Sequence, residues 1–532
     1  MGLERILKGS RIAEIDRKCI NGGIDSKWLM KNAGNCVSKE IKGDLKNKKG
    51  ANGIIICGGG NNGGDGFVAA IDLIKAGFDI KVFYISPTEK FSSDSSYYFN
   101  MLSGLKGSDT FYLNMENQEV EEIFGQQLDS AYFIVDAIFG TGLHGKEVYG
   151  QAKTIINRIS QAKSNKGKLV YSVDIPSGID SDNGMVLGTA VRADKTITFG
   201  CKKLGIVNFP GTEYAGKIKV VDIGIPPKHF SGYEDIFEAR LDWVCEKIPE
   251  RQSWTYKHKV GKLLVIAGSI GLSGAASMTC LSAMRAGAGL VTLVCPWELN
   301  SIFEQKLTEV MTYPVDQTDD VSIHYGNLEK IIDLSANFDA LAIGPGISKN
   351  LSTLRLVREI LKEVKKPTVL DADGLAALYS LREADQDQNF DLSHVIITPH
   401  AGELSVILGR DKISLDQRYN VNVGVARQFN LVSVLKGART LISEPGGTTF
   451  INTTGDWALA TAGTGDILTG IIGSFLSQGM DKFEGAACGV FIHGMASDIV
   501  SRNTSKTSMI ATDLLEGIKK TFLKIERIKY KE

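Results

Sequence analysis

Short apolar runs rich in Val, Ile and Leu alternate with amphipathic helical segments along almost the whole chain, and nearly every run ends at a Gly, Asp, Pro or Lys. A strand, helix, strand order of this kind folds through right-handed crossovers into a mostly parallel sheet covered by helices on both faces. Ligands in such α/β folds bind outside the carboxyl ends of the strands. Residues 53–57, 80–85, 132–136, 168–174 and 195–199 read as strands in the first part of the chain, and 263–267, 290–295, 340–343, 368–371, 395–398 and 432–436 in the second. Residues 440–443 and 448–452 read as a hairpin, and a long apolar helix is expected from about Asp466.

At 532 residues the chain exceeds the size at which one core stops growing, so two domains are expected. The Gly224-Ile225-Pro226-Pro227 stretch and the weakly patterned charged segment after it set the boundary near 230, giving domains 1–230 and 231–532. The halves share no repeat. With 60 basic and 61 acidic side chains there is no field to attract a polyanion, so no nucleic-acid partner is expected. Residues 263–284 carry no charge, but Gly268, Ser269, Gly271, Ser273, Gly274 and Ser277 interrupt them, which favours strand, turn and small-residue helix over a membrane span. The eight cysteines form no CxxC pair, and the start of the chain carries no signal-peptide pattern, so a cytoplasmic setting is expected.

Glycines make up 58 of the residues, about 11% against a usual ~7%, and they cluster at strand ends. The first cluster, Gly58-Gly59-Gly60-Asn61-Asn62-Gly63-Gly64-Asp65-Gly66, lies between a buried strand and a helix, where N–H groups freed of Cβ atoms can face an anion. It is neither a Walker A loop nor a clean GxGxxG; the bland reading is a tight turn. Asp136 and Asp174 end neighbouring strands and would converge on it. Asn62, Asp136 and Ser177 offer hard oxygens for a cation, although an isolated strand-end Asp is more often a helix cap.

These segments, with Arg11 to Asp16 and Leu29 to Gly34, resemble the NAD(P)H-hydrate epimerase domain over about residues 5–225. The resemblance implies a Rossmann-like three-layer domain that interconverts the C6 epimers of hydrated NADH and NADPH. It assigns hydrate binding to Asn61, Asn62, Gly63, Gly64 and Asp65 and to Thr141, Gly142, Leu143, His144, Gly145 and Lys146. Potassium falls to Asn62, Asp136 and Ser177, and acid/base contact with the hydrate to Asp174. The family commonly has glutamate where Lys31 stands. A related domain without the enzyme's residues serves as a scaffold, so a non-catalytic first domain is the competing reading.

In the second half, Ala462-Gly463-Thr464-Gly465-Asp466 marks a helix start whose free N–H groups and dipole suit a phosphoryl group in transit. Asp466 is placed to accept a proton there, and the bland reading is a Thr or Asp cap. Gly344-Pro345-Gly346, Asp371 to Leu375, Thr398 to Leu404 and Lys436 to Thr440 follow strands and would face the same rim. Lys436 suits nucleotide phosphates, Asp373 or Glu403 a metal ion, and His400 is equally well a cap.

The set resembles the ribokinase-like NAD(P)H-hydrate dehydratases over about residues 240–532, further marked by residues 264–269, 273–276, 285–291 and 489–494. In that family a nucleotide phosphorylates the C6 hydroxyl of the hydrate, and phosphate then leaves. The resemblance implies a ribokinase-like three-layer domain with Asp466 as general base. It assigns the hydrate to Gly346, His400 and Asp466, and the nucleotide to Lys436, Gly437, Ala438, Arg439, Thr440, Asp456, Ala462, Gly463, Thr464 and Gly465. Gly455-Asp456-Trp457-Ala458 stands where the family has Gly-Asn-Pro-Gly, and 256–261 lacks its His-Lys-Gly order. ADP is the implied phosphoryl donor because fused members resemble ADP users, with Mg2+ in the dehydratase half and a homo-oligomer expected. The alternative function is a small-molecule kinase that releases a stable phosphate ester.

Overall fold

A computed structural model describes residues 3–46, 48, 50–233, 235–251, 254, 256–379 and 391–530. It divides into two compact units, Arg5–Glu234 and Asp235–Glu532, the latter grouped with Met1–Glu4.

In the first unit a short strand β1 (Leu3–Leu7) precedes a parallel sheet built from β2 (Asn52–Cys57), β3 (Asp79–Tyr84), β4 (Asp109–Tyr112), β5 (Phe133–Ala137), β6 (Leu169–Val173) and β7 (Lys195–Phe199). The two-residue β8 (Lys202–Lys203) pairs with β1, and β9 (Lys217–Val221) closes the sheet. The sheet order is β4-β3-β2-β5-β6-β7-β9, so the chain winds one way from β2 and the other way from β5. The crevice at that switch lies beyond Cys57 and Ala137, where an α/β sheet accepts ligands. Residues of β2 and β5 are buried on both faces, which is why they read as unbroken apolar runs. One face packs on Val37, Phe67 and Leu73, the other on Phe124, Ile155 and Ile159. Strand β4 was missed because its Asp-Thr-Phe-Tyr is a half-exposed edge without an apolar run.

The second unit contains β10 (Ile236–Ala239), β11 (Lys262–Ile266), β12 (Leu290–Pro296), β13 (Met311–Val315), β14 (Ala340–Ile343), β15 (Thr368–Leu370), β16 (Val395–Ile397), β17 (Val432–Leu435), β18 (Leu441–Ser443) and β19 (Thr449–Ile451). Their order is β13-β12-β11-β14-β15-β16-β17-β18-β19-β10, parallel except where β18 runs against β17 and β19. Strands β10 and β13 escaped the sequence pattern: β10 lies in the charged segment and β13 is a partly exposed edge interrupted by Pro314. The charge-free stretch is β11, a glycine turn and the helix Ser273–Arg285; among the described residues no helix is long and apolar enough to cross a membrane. The helix Thr464–Ser477 is buried almost all round, packed between the sheet and the helices Ser273–Arg285 and Lys482–Val500. Its N-terminus is thereby held at the carboxyl rim of β11, β14 and β15.

Candidate active sites

In the first unit the glycine cluster becomes the N-terminal turns of the helix Asn61–Lys75. Gly63 is a packing glycine: a Cβ there would strike the Gly58 carbonyl oxygen. Asn61, Asp65, Thr141 and Asp174 line one cleft, together with Ile12, Asp16, Met30, Phe199, Lys203 and Ile225. Gly142, Leu143, His144, Gly145 and Lys146 continue past Thr141 and are not among its lining residues.

Asp174 adopts φ 64°, a left-handed conformation that turns the chain sharply off β6 and delivers the carboxylate into the cleft. Its Oδ1 accepts from Lys203 Nζ at 2.5 Å, Thr198 Oγ1 at 3.1 Å and the Phe199 N–H at 3.2 Å. Lys203 is completely buried, and Nζ also donates to Thr198 Oγ1 and the Phe199 carbonyl at 3.0 and 2.9 Å. A buried ammonium is retained only with such partners, since an unpaired one is strongly destabilising. Sequence reasoning missed Lys203. The available signal was a lysine just past a strand end, as at Lys436.

Asp136 is fully buried and accepts from the Ile138 N–H, Ser172 Oγ and both the N–H and Oγ of Ser177. It therefore braces the 177 loop against β5, while Ser177 Oγ accepts from the Phe139 N–H at 2.9 Å. Burial pushes the Asp136 carboxyl up, against those hydrogen bonds. Asn62 lies beside Gly140, and its buried amide nitrogen has no hydrogen-bond partner.

In the second unit, Gly463 takes φ 91° as N-cap and Thr464 Oγ1 donates back to the Leu459 and Thr461 carbonyls at 2.9 and 3.0 Å. The Thr464 N–H donates to the Thr461 carbonyl, which leaves the N–H groups of Gly465 and Asp466 for a ligand. Buried His493 holds this turn through Nε2, which donates to the Thr464 carbonyl at 2.9 Å. Burial, offset in part by that bond, lowers the imidazole to about 4, so it stays neutral.

Asp371, at the end of β15, is buried and accepts from Lys436 Nζ and Thr469 Oγ1, each at 2.7 Å. Burial opposes its ionisation, but the Lys436 charge and the hydrogen bonds from Lys436, Thr398 and Thr469 outweigh it and hold the carboxyl below its usual range. A side chain starting at Gly465 would lie 3.5 Å from Lys436 Nζ and 3.7 Å from Asp371 Oδ2, so the pair sits against the helix start. Asp466, in that turn, is pushed up to about 7, first by burial, then by the Asp371 charge against the pull of Lys436. A carboxyl poised there is matched to proton transfer at neutral pH.

Lys436 N–H donates to the Pro399 carbonyl at 2.8 Å, which brings the His400 loop to the same rim. His400 caps the helix Ala401–Leu408: Nδ1 accepts from the Gly402 and Glu403 N–H groups, and its own N–H donates to Glu403 Oε2. Its Nε2 lies 3.5 Å from Glu403 Oε1, so both edges of the ring are engaged at this helix start. Gly346 reaches the rim with its carbonyl accepting from Ser269 Oγ at 2.8 Å. Beyond Lys436 the loop is tied internally: Ala438 O accepts from the buried Arg418, and Thr440 Oγ1 donates to Gly437 O. Arg439 Nη1 donates to the Thr453 carbonyl. Asp456 accepts the Ala458 N–H at 3.0 Å and pairs with Lys506, so its carboxylate caps the turn Trp457–Leu459. Among the described residues there is no cluster of three His, Cys, Asp or Glu to hold a metal.

Two family models match: NAD(P)H-hydrate dehydratase over residues 263–520 and YjeF-related protein N-terminus over 26–205. The bifunctional NAD(P)H-hydrate repair enzyme of Moorella thermoacetica is 36% identical over 501 residues, 93% of this chain and 92% of that one. Its namesake from Thermofilum pendens is 34% identical over 97% and 96%. The ADP/ATP-dependent NAD(P)H-hydrate dehydratase of Bacillus subtilis, co-crystallised with ATP/Mg2+, is 28% identical, with TM-score 0.46 over 54% of this chain and 97% of that one. Two α/β units, each with a lysine–aspartate pair at its strand ends, and likeness to the two bifunctional relatives along nearly the whole length lead to one assignment: the chain belongs to the bifunctional NAD(P)H-hydrate repair enzymes, an epimerase unit followed by a dehydratase unit.

Proposed function

We propose that the cleft around Asp174 epimerises the hydrates of NADH and NADPH at C6, and that the rim around Asp466 dehydrates the S form with ADP. The observation that carries the second assignment is Asp466, titrating at about 7 in the first turn of a helix and beside the Lys436–Asp371 pair. Asp466 takes the proton of the C6 hydroxyl as its oxygen attacks the terminal phosphorus of the nucleotide. The N–H groups of Gly465 and Asp466 and the Lys436 ammonium face the charge that develops on the phosphoryl oxygens. Hydroxide leaves poorly and phosphate leaves well, so the ring nitrogen then expels phosphate and restores the reduced nicotinamide. Gly346 and the exposed His400 would line the side from which the hydrate enters.

Mg2+ is held in phosphoryl-transfer sites by phosphate oxygens and one or two carboxylates rather than by a protein cage. Asp373, 3.9 Å from Lys349 at its nearest charge, fits as such a carboxylate, and the ion would neutralise phosphate charge. For potassium, Asp136 is a fully buried carboxylate without an ion pair among the described residues, and Asn62 has an unpartnered buried amide that a half-turn converts to an oxygen donor. A monovalent cation held by Asn62, Asp136 and Ser177 would supply the missing countercharge.

Hydrated NADH incubated with ADP and, in parallel, with ATP tests this reading. Absorbance of reduced nicotinamide should return with AMP and phosphate as products, faster with ADP. Accumulation of a stable phosphate ester instead would make the protein a small-molecule kinase.

A further inference from the structure

The epimerase cleft gathers three carboxyls, Asp16, Asp65 and Asp174, around one ammonium, Lys203. Lys203 directs its hydrogen bonds to Asp174, Thr198 and the Phe199 carbonyl, and no side-chain hydrogen bond reaches Asp16 or Asp65 among the described residues. Asp174 therefore has a full set of donors suited to the ionised form. Asp16 and Asp65 share the same partly dehydrated space without one. Two neighbouring carboxyls in low dielectric hold a proton between them rather than both ionise.

Resting on the assignment of this cleft to epimerisation, we infer that the Asp16–Asp65 pair is the proton donor of the reaction, opposite Asp174 as base, with Lys203 as the positioning residue that fixes which carboxyl is ionised. The chemistry of a C6 hydroxyl on a carbon bonded to nitrogen needs both roles. Asp174 removes the hydroxyl proton, the freed electron pair forms the aldehyde C=O, and the C6–N1 bond breaks. Its electron pair on N1 takes the proton of the Asp16–Asp65 pair. Rotation about the C5–C6 bond presents the other aldehyde face, N1 adds back, its proton returns to the pair and the Asp174 proton returns to oxygen. Nothing is oxidised, reduced or released.

Burial raises Asp16 to about 6, with Lys203 pulling down and Asp174 pushing up. Asp65 is raised further, by burial and then by the Asp174 and Asp16 charges, against Lys203. The other groups facing the pair are Asp94 in the cleft wall and the Cys19 and Cys57 thiols, both pushed up by burial and so uncharged.

The test uses the full chain, with exchange between the R and S hydrates of NADH followed without nucleotide and dehydration of the S hydrate with ADP as the internal control. D16N and D65N are each expected to slow exchange about 100-fold with KM little changed and dehydration intact, and to flatten the alkaline limb of the exchange pH profile. K203M is expected to lower kcat for exchange with KM little changed, because Asp174 loses the hydrogen bond that holds it in place. Exchange within threefold of the parent in both D16N and D65N, with D174N inactive, overturns the inference. If D174N also exchanges normally, the assignment of the cleft itself falls. A variant that loses hydrate binding is followed by D16E or D65E, in which restored exchange supports the donor role and continued inactivity with binding regained overturns it.

Discussion

Each unit places a lysine against one buried aspartate at its strand ends and leaves other carboxyls beside the pair without a hydrogen-bonded cation. In the first, Lys203 holds Asp174 while Asp16 and Asp65 are raised; in the second, Lys436 holds Asp371 while Asp466 is raised to about 7. The difference lies in what surrounds the unpaired group. Asp466 sits in the first turn of a helix, among N–H groups that attract a phosphoryl group, which suits the proposed activation of the nucleophile. Asp16 and Asp65 line a cleft with the apolar Ile12, Met30, Phe199 and Ile225, which suits the proposed proton exchange. The same electrostatic arrangement recurs in both units, because among the described residues each of these ammonium groups directs its carboxylate hydrogen bonds to a single aspartate.

The largest effect that would break the parallel is expected at Asp466. D466N should lower kcat for dehydration by about 10²- to 10⁴-fold, the span of a lost general base, while epimer exchange in the same molecule stays at the parent rate. A D466N chain that still dehydrates the S hydrate at the parent rate would mean that proton removal is done elsewhere.

A middle-sized effect sharpens the comparison through pH. Asp466 acts when ionised, so kcat/KM for dehydration should fall about tenfold per pH unit as pH drops below about 7. The limb should shift upward in K436M, where the Lys436 charge no longer pulls Asp466 down. A flat profile between pH 5 and 8 would remove Asp466 from the base role.

The smallest effect is on stability. A carboxyl whose folded pKa is raised makes its favourable contribution below the unfolded pKa near 3.8 and loses it as pH rises to about 7. D466N should therefore unfold at a higher temperature than the parent at pH 8, with the gap shrinking toward pH 4. Thermal melts at the two pH values check it, and a constant gap would contradict a titrating origin.

The fold was legible where strands are buried on both faces. β5, β7 and β14 carry unbroken β-branched or apolar runs, and the expected ranges match them within a residue. Edge strands β4 and β13 were not legible because half of their residues face solvent and carry no apolar signal. The same logic divides the site. Asp466, Asp174 and Lys436 stand out as charged groups immediately beyond apolar runs. Lys203 does not, because Gly200, Cys201 and Lys202 separate it from the end of β7. Arg439 and Asp456 have the right types in the right loops, yet their side chains are engaged with the Thr453 carbonyl and with Lys506.

By itself the sequence determined the class of fold, the pair of units and the strand ends that carry the chemistry, since apolar periodicity and glycine placement are local properties of the chain. Only the tertiary structure decided which carboxylate each lysine neutralises. That choice joins Asp174 to a residue 29 positions away and Asp371 to one 65 positions away. It is fixed by where the sheet order brings the strand ends together and how deeply they are buried, and the pKa of every unpaired neighbour follows from it.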